Sequence, residues 1–124
     1  MLNRKRVVLV GLDPTVVDYG KWPGLTPARL RAALDHDRAA LQALGYETEV
    51  CYVDGGATAA LTLQQALAGR PVAAVLIGAG VRTDPDCFHL FETLVNVAHR
   101  AAPEAALCFN TEPSDSLQAV QRWV

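Results

Sequence analysis

Residues 6–14 read Arg6-Val7-Val8-Leu9-Val10-Gly11-Leu12-Asp13-Pro14, an apolar run that ends in a glycine, an acid and a proline. Four consecutive aliphatic residues are typical of a strand that is buried on both faces in the middle of a parallel sheet. Because Gly11 and Pro14 interrupt the run, we expect the chain to turn away from the sheet there. The stretch therefore predicts a central strand whose carboxyl end opens into a loop.

Helices and further strands alternate along the rest of the chain. The predicted helices run from Thr26-Pro27 to Leu44, from Ala57 to Ala68, from Asp84-Pro85 to about Ala102 and onward from about Ser114, and the predicted strands are Tyr46 to Val53, Pro71 to Ile77 and Ala105 to Phe109. This alternation indicates a parallel sheet with helices on both faces. With right-handed crossovers and the two fully apolar strands at the centre, the strand order is 2-1-3-4. We expect one domain, residues 1–124, of three-layer α/β/α architecture.

The composition of the chain limits the kinds of molecule that the protein is expected to bind. Of the 124 residues, 51% are hydrophobic and 19% are charged, and the net charge is −2, which is typical of a globular protein without a nucleic-acid-binding surface. No apolar stretch is long enough to span a membrane or to act as a signal peptide. The three cysteines (Cys51, Cys87 and Cys108) are odd in number and widely spaced, which argues against both a disulfide framework and a zinc site. We expect a cytoplasmic protein that binds neither nucleic acid nor membrane.

A candidate site follows from the predicted topology, since ligands of such sheets bind at the carboxyl ends of the strands where the strand order reverses. Glycines allow close approach of the backbone to a ligand, and an arginine can grip an anion. We expect a small anionic or polar ligand, oriented by Asp13, held by Arg82 and hydrogen-bonded to Asn110. The expected ligand-binding residues are Gly11, Asp13, Gly78, Gly80, Arg82, Asn110 and Thr111.

The segments that follow strands one, three and four also allow other interpretations. Glycines also end strands where no ligand binds, and Arg82 could pair with Asp13 or Asp84 instead. An enzyme could use Asp13 as general acid or base in the same cleft, or the domain could be an interaction module with no ligand. No dinucleotide or P-loop glycine pattern is present, so no cofactor is expected. The stripe of His89, Glu92, Asn96 and His99 spreads along one helix, which favours a solvated face over a metal site.

The strand order resembles that of flavodoxin-like folds and of the receiver domains of response regulators. The receiver resemblance implies paired acids after strand one, an aspartate ending strand three and a lysine after a fifth strand. Here Asp13 stands alone, strand three ends in Gly78 and no fifth strand is predicted, so phosphoacceptor activity is not expected, although Thr111 stands where receivers place a hydroxyl. The chain is also similar to small uncharacterised bacterial α/β proteins that share the segments Val10–Pro14, Gly78–Arg82 and Phe109–Thr111. That resemblance implies a fold and no activity.

The long connection from Asp13 to Leu25 carries Tyr19 and Trp22. Loops of this length in compact domains tend to be functional or mobile. The two aromatic side chains could fold down as a plug over the end of the sheet, or they could form a lid over a ligand.

Asp37 interrupts the apolar face of the first predicted helix, which otherwise holds Leu30, Ala33, Leu34, Leu41 and Leu44. A buried carboxylate without a partner is costly. We therefore expect Asp37 to pair with a basic or hydroxyl group away from the cleft, or to lie in a subunit contact.

The fourth predicted strand carries no charge, which the exposed edges of natural sheets usually avoid. Trp123 follows it near the end of the last helix. Together these features predict a homodimer formed through strand four and the last helix.

Overall fold

The computed structural model describes residues 5–124, except for the side chain of Pro113. Within this range, four parallel strands form one sheet in the order β2-β1-β3-β4, namely β1 (Arg6–Leu12), β2 (Glu47–Val53), β3 (Ala74–Ile77) and β4 (Ala106–Phe109). The predicted parallel sheet and its order are confirmed. Val10 of β1 lies beside Cys51 on one side and Ile77 on the other.

Burial separates the central strands from the edges. Every residue of β3 is buried, and so is β1 from Arg6 to Gly11, whereas β2 and β4 are buried only in part. This distribution follows from the sequence, because the uninterrupted aliphatic runs occur only in the two central strands.

Helices cover both faces of the sheet and complete a three-layer flavodoxin-like fold. They are α1 (Pro27–Ala43), α2 (Ala59–Leu67), α3 (Ala79–Arg82), α4 (Phe88–Ala101) and α5 (Ser116–Gln121). Val8 and Val10 pack on one face with α2 and α4. Val7 and Leu9 pack on the opposite face with α1 and α5. The period-two alternation of a strand thus divides the apolar run of β1 between two cores.

Both ends of α1 follow from local residue chemistry. The Thr26 hydroxyl oxygen accepts from the N–H of Arg29 at 3.1 Å, and Pro27 occupies the first turn. Gly45 then takes a φ of +94°, which favours glycine and ends the helix. One predicted member of the apolar face is wrong, because Leu44 caps the helix outside its last turn and is 54% exposed.

The segment predicted as a loop after strand three is a helical turn, α3. The N–H of Thr83 donates to the Ala79 carbonyl oxygen at 2.8 Å, and Val81 is buried at the centre of the turn. Burial of Val81 outweighs the helix-breaking tendency of the flanking glycines. The helix predicted from Asp84-Pro85 begins with a 3₁₀ turn, Pro85–Cys87, and becomes α-helical only at Phe88.

Asp37 finds the hydroxyl partner expected of it. Its carboxylate accepts from the Ser116 hydroxyl at 2.7 Å, and both residues are buried. The Ser116 oxygen accepts from Asn110 Nδ2 at 2.9 Å, and Asn110 Oδ1 accepts from the N–H of Ala79 at 2.9 Å. This polar chain joins α1, α5, the end of β4 and α3. Burial raises the pKa of Asp37 above its ordinary value of 3.8, although the Ser116 hydrogen bond opposes that effect.

We predict that Asp37→Asn is increasingly stabilised relative to the wild type as the pH rises above 3.8. Because the pKa is raised by folding, the protonated carboxyl favours the folded state at low pH, and this contribution is lost as the pH rises through the raised pKa. The asparagine amide oxygen still accepts from Ser116 and carries no charge. The expected gain is about 1.4 kcal/mol for each unit by which the pKa is raised.

Denaturant unfolding of both proteins across a pH series measures this difference. Asp35→Asn is the matched control on the same helix, because Asp35 is exposed and pairs with Arg38. A stability difference between Asp37→Asn and the wild type that stays constant with pH would contradict the prediction.

Candidate functional site

A cleft of about 490 Å³ lies beyond the carboxyl ends of β1 and β3, where the strand order reverses. We call it the switch-point cleft. Four parts of the fold surround it: the amino-terminal half of α1, the turn α3, the loop between β1 and α1, and the segment that follows β4. Its lining residues are Gly11, Leu12, Val17, Trp22, Pro23, Gly24, Leu25, Leu30, Ala33, Leu34, Gly78, Ala79, Gly80, Val81, Thr83, Thr111 and Glu112.

Two glycines keep the base of the cleft open. A Cβ at Gly78 would lie 3.4 Å from the Val10 carbonyl oxygen, and one at Gly11 would lie 3.8 Å from both Leu34 Cδ atoms. Any longer side chain at Gly11 would therefore extend toward the leucine that forms the opposite wall. Small residues at these strand ends preserve the space between the sheet and α1.

Residues 13–25 form one wall of the cleft, and we call them the lid segment. Trp22 lines the cleft without filling it. The Tyr19 hydroxyl donates to the Pro14 carbonyl oxygen at 2.6 Å and so ties the segment to its own start. Trp22 therefore borders the space at the carboxyl end of the sheet, whereas Tyr19 does not line the cleft.

Lys21 joins the lid segment to the residues that follow α3. Its ammonium lies 3.0 Å from Asp84 Oδ2 and also contacts the Asp86 carboxylate. These hydrogen bonds, to Asp86 first and then to Asp84, raise the pKa of Lys21 above its ordinary value. Asp84 also accepts from the N–H of Asp86, and this bond, followed by the one from Lys21, lowers the pKa of Asp84. The pairing ties the lid segment to the residues that begin the 3₁₀ turn Pro85–Cys87.

Four of the seven residues expected at the site line the cleft, namely Gly11, Gly78, Gly80 and Thr111. Asp13 does not line it. Its carboxylate accepts from the backbone N–H of Thr15 at 2.9 Å and from the Thr15 hydroxyl at 2.8 Å. These two bonds lower the pKa of Asp13 below its ordinary value.

Arg82 and Asn110 also lie outside the lining. The Arg82 guanidinium donates to the Asn110 carbonyl oxygen and sits 5.8 Å from the centre of the Phe109 ring. The Asn110 side chain belongs to the polar chain and is 5% exposed. Arg82 pairs with neither Asp13 nor Asp84, the two partners that its position in the sequence suggested, and acts as a tie between α3 and the end of β4.

We call the cleft-lining residues Leu30, Ala33 and Leu34 of α1 the leucine wall. The sequence prediction of the site did not include them. Leu30, Ala33 and Leu34 were assigned to the buried face of the first helix, but they are only half-buried and line the cleft. Helix α1 starts beyond the carboxyl end of β1, so its first turns project past the sheet that they would otherwise cover. The length of the lid segment was the available signal, since a long β1–α1 connection displaces the start of the helix.

Two features were searched for among the described residues: grouped metal ligands and helices that could cross a membrane. Among those residues, no three or more His, Cys, Asp or Glu side chains are grouped as a metal site requires. The four residues of the candidate metal stripe, His89, Glu92, Asn96 and His99, are exposed on α4. No helix among residues 5–124 is long and apolar enough to cross a membrane.

Comparison of the chain with family models, curated proteins and solved structures finds no match. The resemblance to small bacterial α/β proteins through three short segments therefore stays a prediction.

We predict that Lys21→Met loosens the lid segment without affecting the sheet. The methionine keeps the apolar stem of the side chain but cannot pair with Asp84 or Asp86. Because exposed ion pairs contribute little, amide hydrogen exchange within residues 14–25 should accelerate about two- to fivefold, while exchange in β1 and β3 stays unchanged. Arg70→Met, which removes an exposed pair with Glu47, is the control. Equal exchange in both variants would show that Lys21 does not hold the lid.

Proposed function

We propose that the protein binds a small ligand with a mainly apolar body in the switch-point cleft. One observation carries the proposal: the place where such sheets bind ligands is an unfilled cleft bounded by leucine, valine, tryptophan and glycine. Its volume of about 490 Å³ is within the range usual for small-molecule sites. Transfer of an apolar ligand from water into such a cleft is favourable in proportion to the apolar area buried.

The position of the charged groups changes the expected character of the ligand. A small anion was expected to bind Arg82, but this guanidinium is committed to Asn110 and Phe109. Lys21 is committed to two carboxylates. An apolar ligand therefore has more support than an anionic one at the same strand ends.

The two alternative functions have less support. Asp13 is turned toward Thr15 and its lowered pKa makes it a poor proton donor near neutral pH, which disfavours general acid catalysis by this residue. An interaction module without a ligand would be favoured by aromatic residues packed into the strand ends, whereas Trp22 leaves the space open.

We predict that Gly80→Leu weakens ligand binding while the fold is retained. Gly80 lines the cleft, a Cβ there meets nothing within 4 Å, and its φ is not positive. Leucine is also the better helix former. The neutral fluorescent probe N-phenyl-1-naphthylamine should bind the wild type and lose at least about tenfold in affinity for the variant, or about 1.4 kcal/mol.

Gly55→Leu is the matched control, since Gly55 has equally open surroundings and lies outside the cleft lining. Denaturant unfolding of both variants checks that the fold is intact. If the probe binds Gly80→Leu as tightly as the control, or binds neither variant nor the wild type, the proposal is wrong.

We also propose that two copies of the chain pair through β4. Ala106 donates its N–H to the Ala73 carbonyl oxygen at 2.9 Å, so strand alternation turns the N–H groups of Leu107 and Phe109 away from β3. A two-fold axis at Leu107 would pair two copies of this uncharged edge in antiparallel fashion.

We predict that Trp123→Ser weakens this dimer. Trp123 follows α5, which packs against β4, and it is 68% exposed in the single chain. Truncating an interface tryptophan should raise the dimer dissociation constant at least about tenfold. Light scattering at micromolar concentration measures the mass relative to the 13.3 kDa chain. Leu61→Ser, on α2 and 55% exposed, is the control. A monomeric wild type, or equal masses for both variants, would refute the contact.

A further inference from the structure

The hydroxyl groups that line the switch-point cleft have already committed their protons. Thr83 Oγ1 donates to the Ala79 carbonyl oxygen at 2.7 Å, closing α3. Thr111 Oγ1 donates to the carboxylate of Asp115, which also accepts from the Thr111 N–H at 2.9 Å. These bonds from Thr111 lower the pKa of Asp115, so this partner is an ionised acceptor. Each hydroxyl therefore presents only oxygen lone pairs to a ligand.

The only charged side chain that lines the described part of the cleft is also a hydrogen-bond acceptor. Glu112 is the one ionisable side chain among the described residues that line the cleft. Its carboxylate accepts from the Ser114 hydroxyl at 2.5 Å and keeps further acceptor capacity. The rim thus combines two hydroxyl acceptors with a carboxylate.

Four cations near the cleft are engaged by acceptors of the protein. Lys21 pairs with Asp84 and Asp86. Three arginines donate to backbone carbonyl oxygens, namely Arg29 to Gly24, Arg82 to Asn110 and Arg122 to Phe109. An anionic ligand at any of these four side chains would compete with the acceptors already bound there, whereas a ligand that donates hydrogen bonds would meet unused lone pairs.

We propose that the ligand is a cationic amphiphile, in which a protonated primary amine is joined to an apolar body. This inference rests on the proposed function, because it assigns a ligand class to the same cleft. The apolar body would lie against the leucine wall and Trp22. The ammonium has three protons and would donate them to the acceptor groups of Thr83, Thr111 and Glu112, which line the cleft.

Three ligands that share one ring system test the polarity directly. They are tryptamine, 3-ethylindole and indole-3-propionate, which carry a positive, a neutral and a negative end. Titration of the isotope-labelled protein followed by NMR at neutral pH and low salt gives their dissociation constants. We expect tryptamine to bind about three- to fivefold more tightly than 3-ethylindole, as an exposed charge pair allows, and indole-3-propionate to bind most weakly.

Glu112→Gln should remove the advantage of tryptamine and leave the affinity for 3-ethylindole unchanged. Glu92→Gln, an exposed carboxylate on α4 outside the lining, is the control. Equal affinities for the three ligands, preference for indole-3-propionate, or an undiminished preference for tryptamine in Glu112→Gln would overturn the inference. In these cases the cleft still binds an apolar body, so the proposed function stands.

Failure of all three indoles to bind would also overturn the inference. The proposed function is then judged separately by the neutral naphthylamine probe and its weaker binding to Gly80→Leu.

Discussion

The Asn110 side chain is the contact on which the arrangement around the cleft depends. Its amide donates to Ser116 and its oxygen accepts from Ala79, so one group at the end of β4 positions both α5 and α3. The Ser116 hydroxyl in turn donates to the carboxylate of Asp37 and so links α5 to α1. Because these groups are buried, loss of any member leaves an unpaired polar atom that costs about 1–3 kcal/mol. Two walls of the cleft are therefore positioned by buried hydrogen bonds in addition to the apolar packing of Val81 and Leu41.

The same chain explains why α1 has two different halves. Asp37 and Leu41 are buried against the sheet and α5, whereas Leu30, Ala33 and Leu34 are half-buried above the strand ends. The hydrogen bond from Ser116 to Asp37 fixes how α1 is oriented at the point where its two halves join. Dispersion contacts alone would not do so, because they depend little on direction. The apolar amino-terminal half of α1, which precedes Asp37, faces α3 across the cleft. The lid segment forms a third side.

Much of the fold was accessible to sequence reasoning, and the polarity of the site was not. The aliphatic runs in β1 and β3 are local signals of central strands, and they led to the correct strand order. Asp37 stood out because a carboxylate on an apolar face must find a partner. In contrast, Arg82 was assigned to a ligand because the sequence does not reveal that the Asn110 carbonyl oxygen lies within its reach. Residues 28 positions apart along the chain meet there only through the pairing of β3 with β4.

Local turn chemistry also sets what the cleft can recognise. The Thr83 hydroxyl completes α3 and the Thr111 hydroxyl completes the turn before α5, so each uses its proton for folding. A hydroxyl in solution donates and accepts equally well, but one that already donates offers a ligand only acceptance. Threonine residues that stabilise two turns thereby give the rim an electronegative character, reinforced by Glu112. The proposed preference for a donor ligand thus depends on the same hydrogen bonds that hold α3 and α5 in place. If the proposal is right, altering either turn would change recognition and local stability together.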